Sequence, residues 1–153
     1  MTQSVRIKEK HILLVEDNPT DELLTIKALE EHHTPIDIVV ARNGAEALDY
    51  IFAEGQYADR DILELPSFIL LDLKLPKVSG LNVLKRIRSD ERTRIVPVII
   101  LTSSKEEQDI VEGYSLGANS YIQKPVDYQE FSKIAEQLGV YWFKVNQLPR
   151  YDL

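Results

Sequence analysis

The chain has 153 residues, 44% hydrophobic and 28% charged, which suits one domain with a real core and leaves no room for a second behind a linker. It has no cysteine, which excludes a disulfide framework, a thiolate nucleophile and a cysteine-based zinc site, and its net charge of −7 argues against general nucleic-acid binding. Neither an apolar run of about 18 residues nor a signal-peptide pattern occurs, so the expectation is a cytoplasmic protein with no membrane partner.

Residues 1–8 read as an N-terminal tail. His11-Ile12-Leu13-Leu14-Val15 is a continuous apolar run that ends in Glu16-Asp17-Asn18-Pro19. Asn18 and Pro19 read as N-cap and first helical residue, with Asp21 and Glu22 in the first turn and Leu23, Leu24, Ile26, Ala28 and Leu29 along the helix. The segment from His32 to Pro35 breaks that helix, and Ile36–Val40 is a strand. Asn43-Gly44 turns into a helix over Ala45–Ala53, and Glu54–Pro66 reads as an unusually long polar loop. Phe68-Ile69-Leu70-Leu71 then runs into Asp72. An apolar run without alternation points to a strand buried on both faces, as in a parallel sheet. Ser79-Gly80 starts a helix with Leu81, Val83, Leu84 and Ile87 on its apolar side. Pro97–Leu101 is another buried strand, ending in Thr102-Ser103-Ser104. A helix over Lys105–Leu116 stops at Gly117, Asn119–Ile122 is a short strand leading to Lys124-Pro125, and the last helix starts near Asp127 and extends toward Asn146.

Strands alternating with helices predict an α/β fold, a doubly wound five-stranded parallel sheet covered on both faces. In such a sheet the C-terminal strand ends share one edge, where open α/β folds keep their chemistry. That edge gathers Glu16, Asp17, Asp72, Thr102 and Lys124. Converging carboxylates repel unless a cation joins them, and Mg²⁺ takes oxygen ligands while keeping several waters. Lysine favours a second anion, most simply a phosphoryl group, and a threonine hydroxyl can donate to it. These parts describe aspartyl-phosphate chemistry. Each residue also has a plainer reading. Asp72 would be a turn residue, Glu16 and Asp17 would favour a helix N-terminus, Thr102 would be an N-cap, Lys124 a solvated lysine and Tyr121 a half-buried aromatic. It is their convergence in order that favours the chemical reading.

Leu14-Val15-Glu16-Asp17-Asn18, Leu71-Asp72-Leu73-Lys74-Leu75-Pro76 with Gly80, Leu101-Thr102-Ser103, Gly117-Ala118, Tyr121 and Lys124-Pro125 together resemble the receiver domains of two-component response regulators. The resemblance covers about residues 9–139, leaving 140–153 as an extension of the last helix. It implies a flavodoxin-like sheet of strand order 2-1-3-4-5 with an extended C-terminal helix. It also implies Asp72 as phosphoacceptor and Mg²⁺ (or Mn²⁺) held by Asp17, Asp72 and the Lys74 carbonyl, with Glu16 acting through water. Lys124 would pair with the phosphoryl group, and Thr102 and Tyr121 would switch on phosphorylation. Lys74 and Ser104 stand where family members tune the phosphate's lifetime. The Glu54–Pro66 loop and the C-terminal run are similar to the stand-alone regulators of cyanobacterial phytochromes, which implies a sensor histidine kinase, a phytochrome, as partner. Tyr141, Trp142 and Phe143 either fold onto the chain's own core or form a homodimer surface.

Other classes fit less well. A phosphohydrolase with an aspartyl nucleophile usually carries a second acid two residues on, where this chain has Lys74. A nucleotide-binding domain needs a Gly-rich cradle after the first strand, where Glu16-Asp17-Asn18-Pro19 stands instead. A pseudo-receiver would have lost part of the set that is complete here.

Overall fold

The computed structural model describes residues 4–33, 35–149 and 151–152. The elements in chain order are β1 (Ser4–Val15), α1 (Pro19–His32), β2 (Asp37–Ala41), α2 (Gly44–Ile51), a 3₁₀ turn (Gly55–Tyr57), β3 (Glu64–Leu71), α3 (Gly80–Ser89), β4 (Val98–Thr102), α4 (Glu107–Ser115), β5 (Ser120–Gln123), α5 (Tyr128–Val140), a π-type turn (Tyr141–Val145) and β6 (Tyr151–Asp152). Five strands pair in parallel in the order β2-β1-β3-β4-β5, and β6 adds an antiparallel pair with the start of β1, Ser4 opposite Asp152.

The unbroken apolar runs follow from this topology, because each central strand is covered on both sides. Leu13, Val15, Ile69, Leu71, Val98 and Ile100 face a core closed by Ala47 and Ile51 of α2 and Val83, Leu84 and Ile87 of α3. Their neighbours Ile12, Leu14, Phe68, Leu70 and Ile99 face the opposite core, closed by Ala28 and Leu29 of α1 and Ala135 and Leu138 of α5. Alternate side chains thus enter two different cores, and both must be apolar.

Two expectations need correction. Residues 4–8 are not a tail: Arg6, Ile7 and Lys8 pair with Glu64, Leu65 and Pro66, and Val5 is fully buried. Between Lys8 and Ile12, β1 advances four residues while β3 advances two, and Lys10 takes a left-handed φ of 51°. The buried Ser67 hydroxyl locks this bulge, donating to the Lys8 carbonyl at 2.7 Å and accepting the His11 N–H at 3.3 Å. The long polar loop is shorter than expected, since Glu64–Pro66 belong to β3. What remains is tied down by Arg60, which lies 3.8 Å over the Tyr50 ring and donates to the carbonyls of Tyr50 and Glu64. The last helix is extended as expected: α5 runs to Val140 and continues as the π-type turn to Val145, closed by Asn146 N–H to the Tyr141 carbonyl at 2.6 Å. Residues 1–3 of the expected tail, Thr34, and positions 150 and 153 of the C-terminal extension lie outside the described residues.

Arg88 of α3 joins the bottom of the structure. Its guanidinium donates to the carbonyls of Gly117 (2.9 Å), Arg94 (2.8 Å) and Val96 (2.7 Å) and to the Asn119 side chain (2.9 Å). Burial lowers its pKa to about 10. The guanidinium fork matches this cluster of acceptors, which hold the turns before β4 and β5 in register.

Candidate functional site

The site forms where β1, β3, β4 and β5 end. The Asn18 side chain caps α1, accepting the N–H groups of Thr20 (2.9 Å) and Asp21 (3.1 Å), so the chain turns sharply after Val15 and leaves Glu16 and Asp17 at the sheet edge. Asp72 follows the last residue of β3, and its N–H donates to the Val15 carbonyl at 3.1 Å. Gly80 lets α3 start against this residue: a Cβ there would lie 2.1 Å from the Asp72 carbonyl oxygen. Gly44 does the same at α2, where a Cβ would lie 1.9 Å from the Val78 carbonyl oxygen in the loop after Asp72. Lys124 is set by its own N–H, which donates to the Thr102 carbonyl at 2.7 Å.

Asp72 is 7% exposed. Its Oδ1 accepts from Thr102 Oγ1 at 2.8 Å, with the Lys74 N–H at 3.4 Å, and its Oδ2 accepts from Lys124 Nζ at 2.9 Å. The same ammonium donates to Glu16 Oε2 at 2.6 Å and to Asp21 Oδ2 at 3.0 Å. Glu16, Asp17 and Asp72 each bring one carboxylate oxygen within 4.8 Å of the others. Glu16 and Asp72 are buried and Asp17 is exposed, so the cluster opens to solvent on one side. An all-oxygen set open to water fits Mg²⁺ or Mn²⁺.

The electrostatics follow from burial. Desolvation raises the Glu16 carboxyl to about 7, with the hydrogen bond from Lys124 pulling it down and the charge of Asp72 pushing it up. Burial works against the Lys124 charge, but its hydrogen bonds to Glu16 and Asp72 outweigh it and hold the ammonium above its usual range. Lys124 is thus the local counter-ion of the acid cluster.

The structure brings Glu16, Asp17, Asp72, Thr102 and Lys124 together as expected from the strand ends. Ser104 and Tyr121 lie in a hydrogen-bonded line behind them. The Ser104 N–H lies 3.4 Å from Thr102 Oγ1, and the Ser104 carbonyl accepts the Tyr121 hydroxyl at 3.0 Å. The Ser104 side chain, however, bonds Asp109 Oδ2 at 2.5 Å near the start of α4 rather than any group of the acid cluster. The Lys74 side chain is exposed.

The aromatic run is divided. Trp142 and Phe143 fold onto Phe68, with ring centroids 6.1 and 5.3 Å apart, and Phe143 also lies 5.6 Å from His33, whereas Tyr141 is 49% exposed. The core reading therefore describes two of the three. The residue that sequence reasoning passed over is Asp21, read only as a first-turn acid. Its position three after the N-cap, where a helix turns back toward the sheet edge, was the available signal.

Comparison with known proteins places this geometry. The response regulator receiver domain model matches residues 12–136. The probable methanogenesis regulatory protein FilR2 of Methanothrix harundinacea is 39% identical over 139 residues, covering 90% of this chain and 86% of its own. The crystal structure of the phosphorylated cyanobacterial phytochrome response regulator RcpA superposes with a TM-score of 0.87 at 38% identity, over 93% of this chain and 99% of that one. The Mn²⁺-bound response regulator Rcp1 superposes with a TM-score of 0.85 at 31% identity, over 92% and 99%.

Proposed function

The chain belongs to the response regulator receiver domain family, and we propose that Asp72 is the residue on which it carries the phosphoryl group. The observation that supports this most directly is the convergence of Lys124, Thr102 and the Glu16, Asp17 and Asp72 acids on one strand edge. A carboxylate oxygen of Asp72 attacks the phosphorus of a kinase phosphohistidine, the P–N bond breaks, and the imidazole departs. Asp17, Asp72 and the Lys74 carbonyl would hold Mg²⁺, with Glu16 acting through water, and the ion would supply positive charge for the phosphoryl oxygens. Lys124 pairs with the transferred group. Thr102, now donating to Asp72, turns to a phosphoryl oxygen, and Ser104 and Tyr121 pass that movement to α4 and β5. As a receiver, the chain is a phosphotransfer and autodephosphorylation site rather than a catalyst of turnover on an external substrate.

Incubation with a phosphorylated histidine kinase and Mg²⁺ tests the assignment. The protein takes up label and an Asp72→Asn variant does not; label on both, or on neither, overturns it. Lys74 and Ser104 set the phosphate's lifetime in this reading, so Lys74→Ala changes the dephosphorylation rate, and an unchanged rate removes Lys74 from that role.

A phytochrome histidine kinase in the cytoplasm is the partner this reading favours, supported by the likeness to RcpA and by the lack, among the described residues, of a helix able to cross a membrane. The receiver takes in β1 from Ser4 through α5, with Trp142 and Phe143 closing its core, and the exposed residues around them act as a contact segment. A homodimer through α5 and its neighbours is favoured by exposed Val140, Tyr141 and Val145 beside a groove of about 690 Å³ lined by apolar Ile134, Leu138 and Trp142 and by polar Asn119, Gln137 and Asn146. Sedimentation of a Tyr141→Ser, Val145→Ser variant tests this: a fall to monomer mass supports the dimer, and a mass equal to that of the native chain counts against it.

A further inference from the structure

Lys124 is surrounded by three carboxylates, and one of them has no part in the phosphoryl chemistry described above. Glu16 and Asp72 belong to the acid cluster that would hold the metal. Asp21, 3.0 Å from Nζ, does not. Its position is firmly built. The Asn18 side chain accepts the Asp21 N–H at 3.1 Å, and the Asp21 carbonyl accepts the Thr25 hydroxyl at 2.8 Å. The carboxylate therefore projects from the first turn of α1 to Lys124, with 28% of its side chain in solvent against 7% for the lysine. Once a cation engages Glu16 and Asp72 and a phosphoryl group sits on Asp72, Asp21 is the carboxylate of this set left facing the ammonium.

We propose that Asp21 is a positioning residue that competes with the phosphoryl group for the Lys124 ammonium and so limits how tightly the phosphorylated site holds its anion. The inference rests on Asp72 being the phosphoacceptor. Asp21 takes no proton and forms no bond in the transfer. The P–N bond of the donor still breaks as the Asp72 O–P bond forms. Its effect is that of one negative charge, held at a fixed place, drawing Lys124 away from the anion and repelling it.

The test uses beryllofluoride, a tetrahedral anion that mimics a phosphoryl group on a carboxylate. Binding to the full chain is followed by ¹⁹F NMR at saturating Mg²⁺. Asp21→Asn tightens beryllofluoride binding by on the order of five- to tenfold, and the gain shrinks as salt rises, because the charge is partly exposed. The same variant binds Mg²⁺ alone more weakly, since the site has lost a negative charge. Asp21→Glu keeps both affinities near those of the native chain. Opposite changes for anion and cation are the signature of charge, whereas a loosened fold weakens both. Beryllofluoride affinity that is unchanged or lower in Asp21→Asn overturns the proposal. Asp72→Asn separates the two levels: if it binds beryllofluoride like the native chain, the acceptor assignment itself fails. If it does not bind and Asp21→Asn is silent, only the role of Asp21 fails.

Discussion

His11 of β1 is buried, with a hydrogen bond at each ring nitrogen, Nδ1 to Asp37 Oδ2 at 2.8 Å and Nε2 to the Tyr50 hydroxyl. Burial lowers its pKa below 6.5 against the pull of Asp37, and the charges of Lys8 and Arg60 lower it further. His33 is lowered too, mainly by burial, with Nε2 on the Glu136 carbonyl at 3.1 Å and Nδ1 without a partner among the described residues. A histidine kept neutral by the fold contributes stability that is complete above its unfolded pKa. Below about 6.5 the unfolded chain takes up the proton first, so this contribution is lost as pH falls. Glu16, raised to about 7, acts in the opposite direction: the folded state holds its proton more tightly, so stability falls as pH rises between its unfolded pKa and 7. The useful measurement is therefore a difference. The urea midpoint of the native chain falls relative to that of His11→Gln as pH drops from about 7.5 to about 5.5. Parallel profiles would show that His11 titrates in the fold as it does in the unfolded chain. None of this was legible in the sequence, where His11 is one member of an apolar run. Its partners Asp37 and Tyr50 lie 26 and 39 residues away and meet it only across β2 and α2.

The bulge in β1 shows at the element scale how one hydroxyl sets a register. Ser67 satisfies a carbonyl and an N–H that the step from Lys8 to Ile12 would otherwise bury without partners. Ser67→Ala is expected to cost about 1–3 kcal/mol in urea denaturation. Mg²⁺ affinity should be unchanged, because the bulge precedes the buried stretch Ile12–Val15 and the site follows it. A cost near zero would mean that β1 and β3 re-pair without the bulge. The strand centres were legible, because burial on both faces demands unbroken apolar runs. The ends were not. Val5 and Ile7 alternate with Arg6 and Lys8, a period-two pattern, but Glu9 and Lys10 interrupt it, and only pairing with Glu64–Pro66 reveals one strand. The π-type turn after Val140 likewise leaves no local trace. It accompanies the placement of two consecutive aromatics, Trp142 and Phe143, on the single ring of Phe68.

At the scale of the whole molecule, the doubly wound sheet delivers residues up to 108 positions apart, Lys124 and Glu16, to one edge as a charge cluster. Holding several acids there is costly without a cation, so metal and fold are linked. Mg²⁺ at about a hundred times its dissociation constant is expected to raise unfolding free energy by about 2.7 kcal/mol, and Asp17→Asn should remove most of that gain. An equal gain in both proteins would place the ion elsewhere. The alternation of elements, the buried strand centres and the identity of the edge residues were legible in the chain alone, because apolar periodicity and the polar residues that stop each run are local properties of it. The packed fold was needed to settle how Lys124 divides its three hydrogen bonds, that Asp21 takes one of them, that Ser104 turns to Asp109, and that two tail aromatics close the chain's own core. Those outcomes depend on which side chains from distant segments compete for the same atom, and spacing along a chain carries no record of that competition.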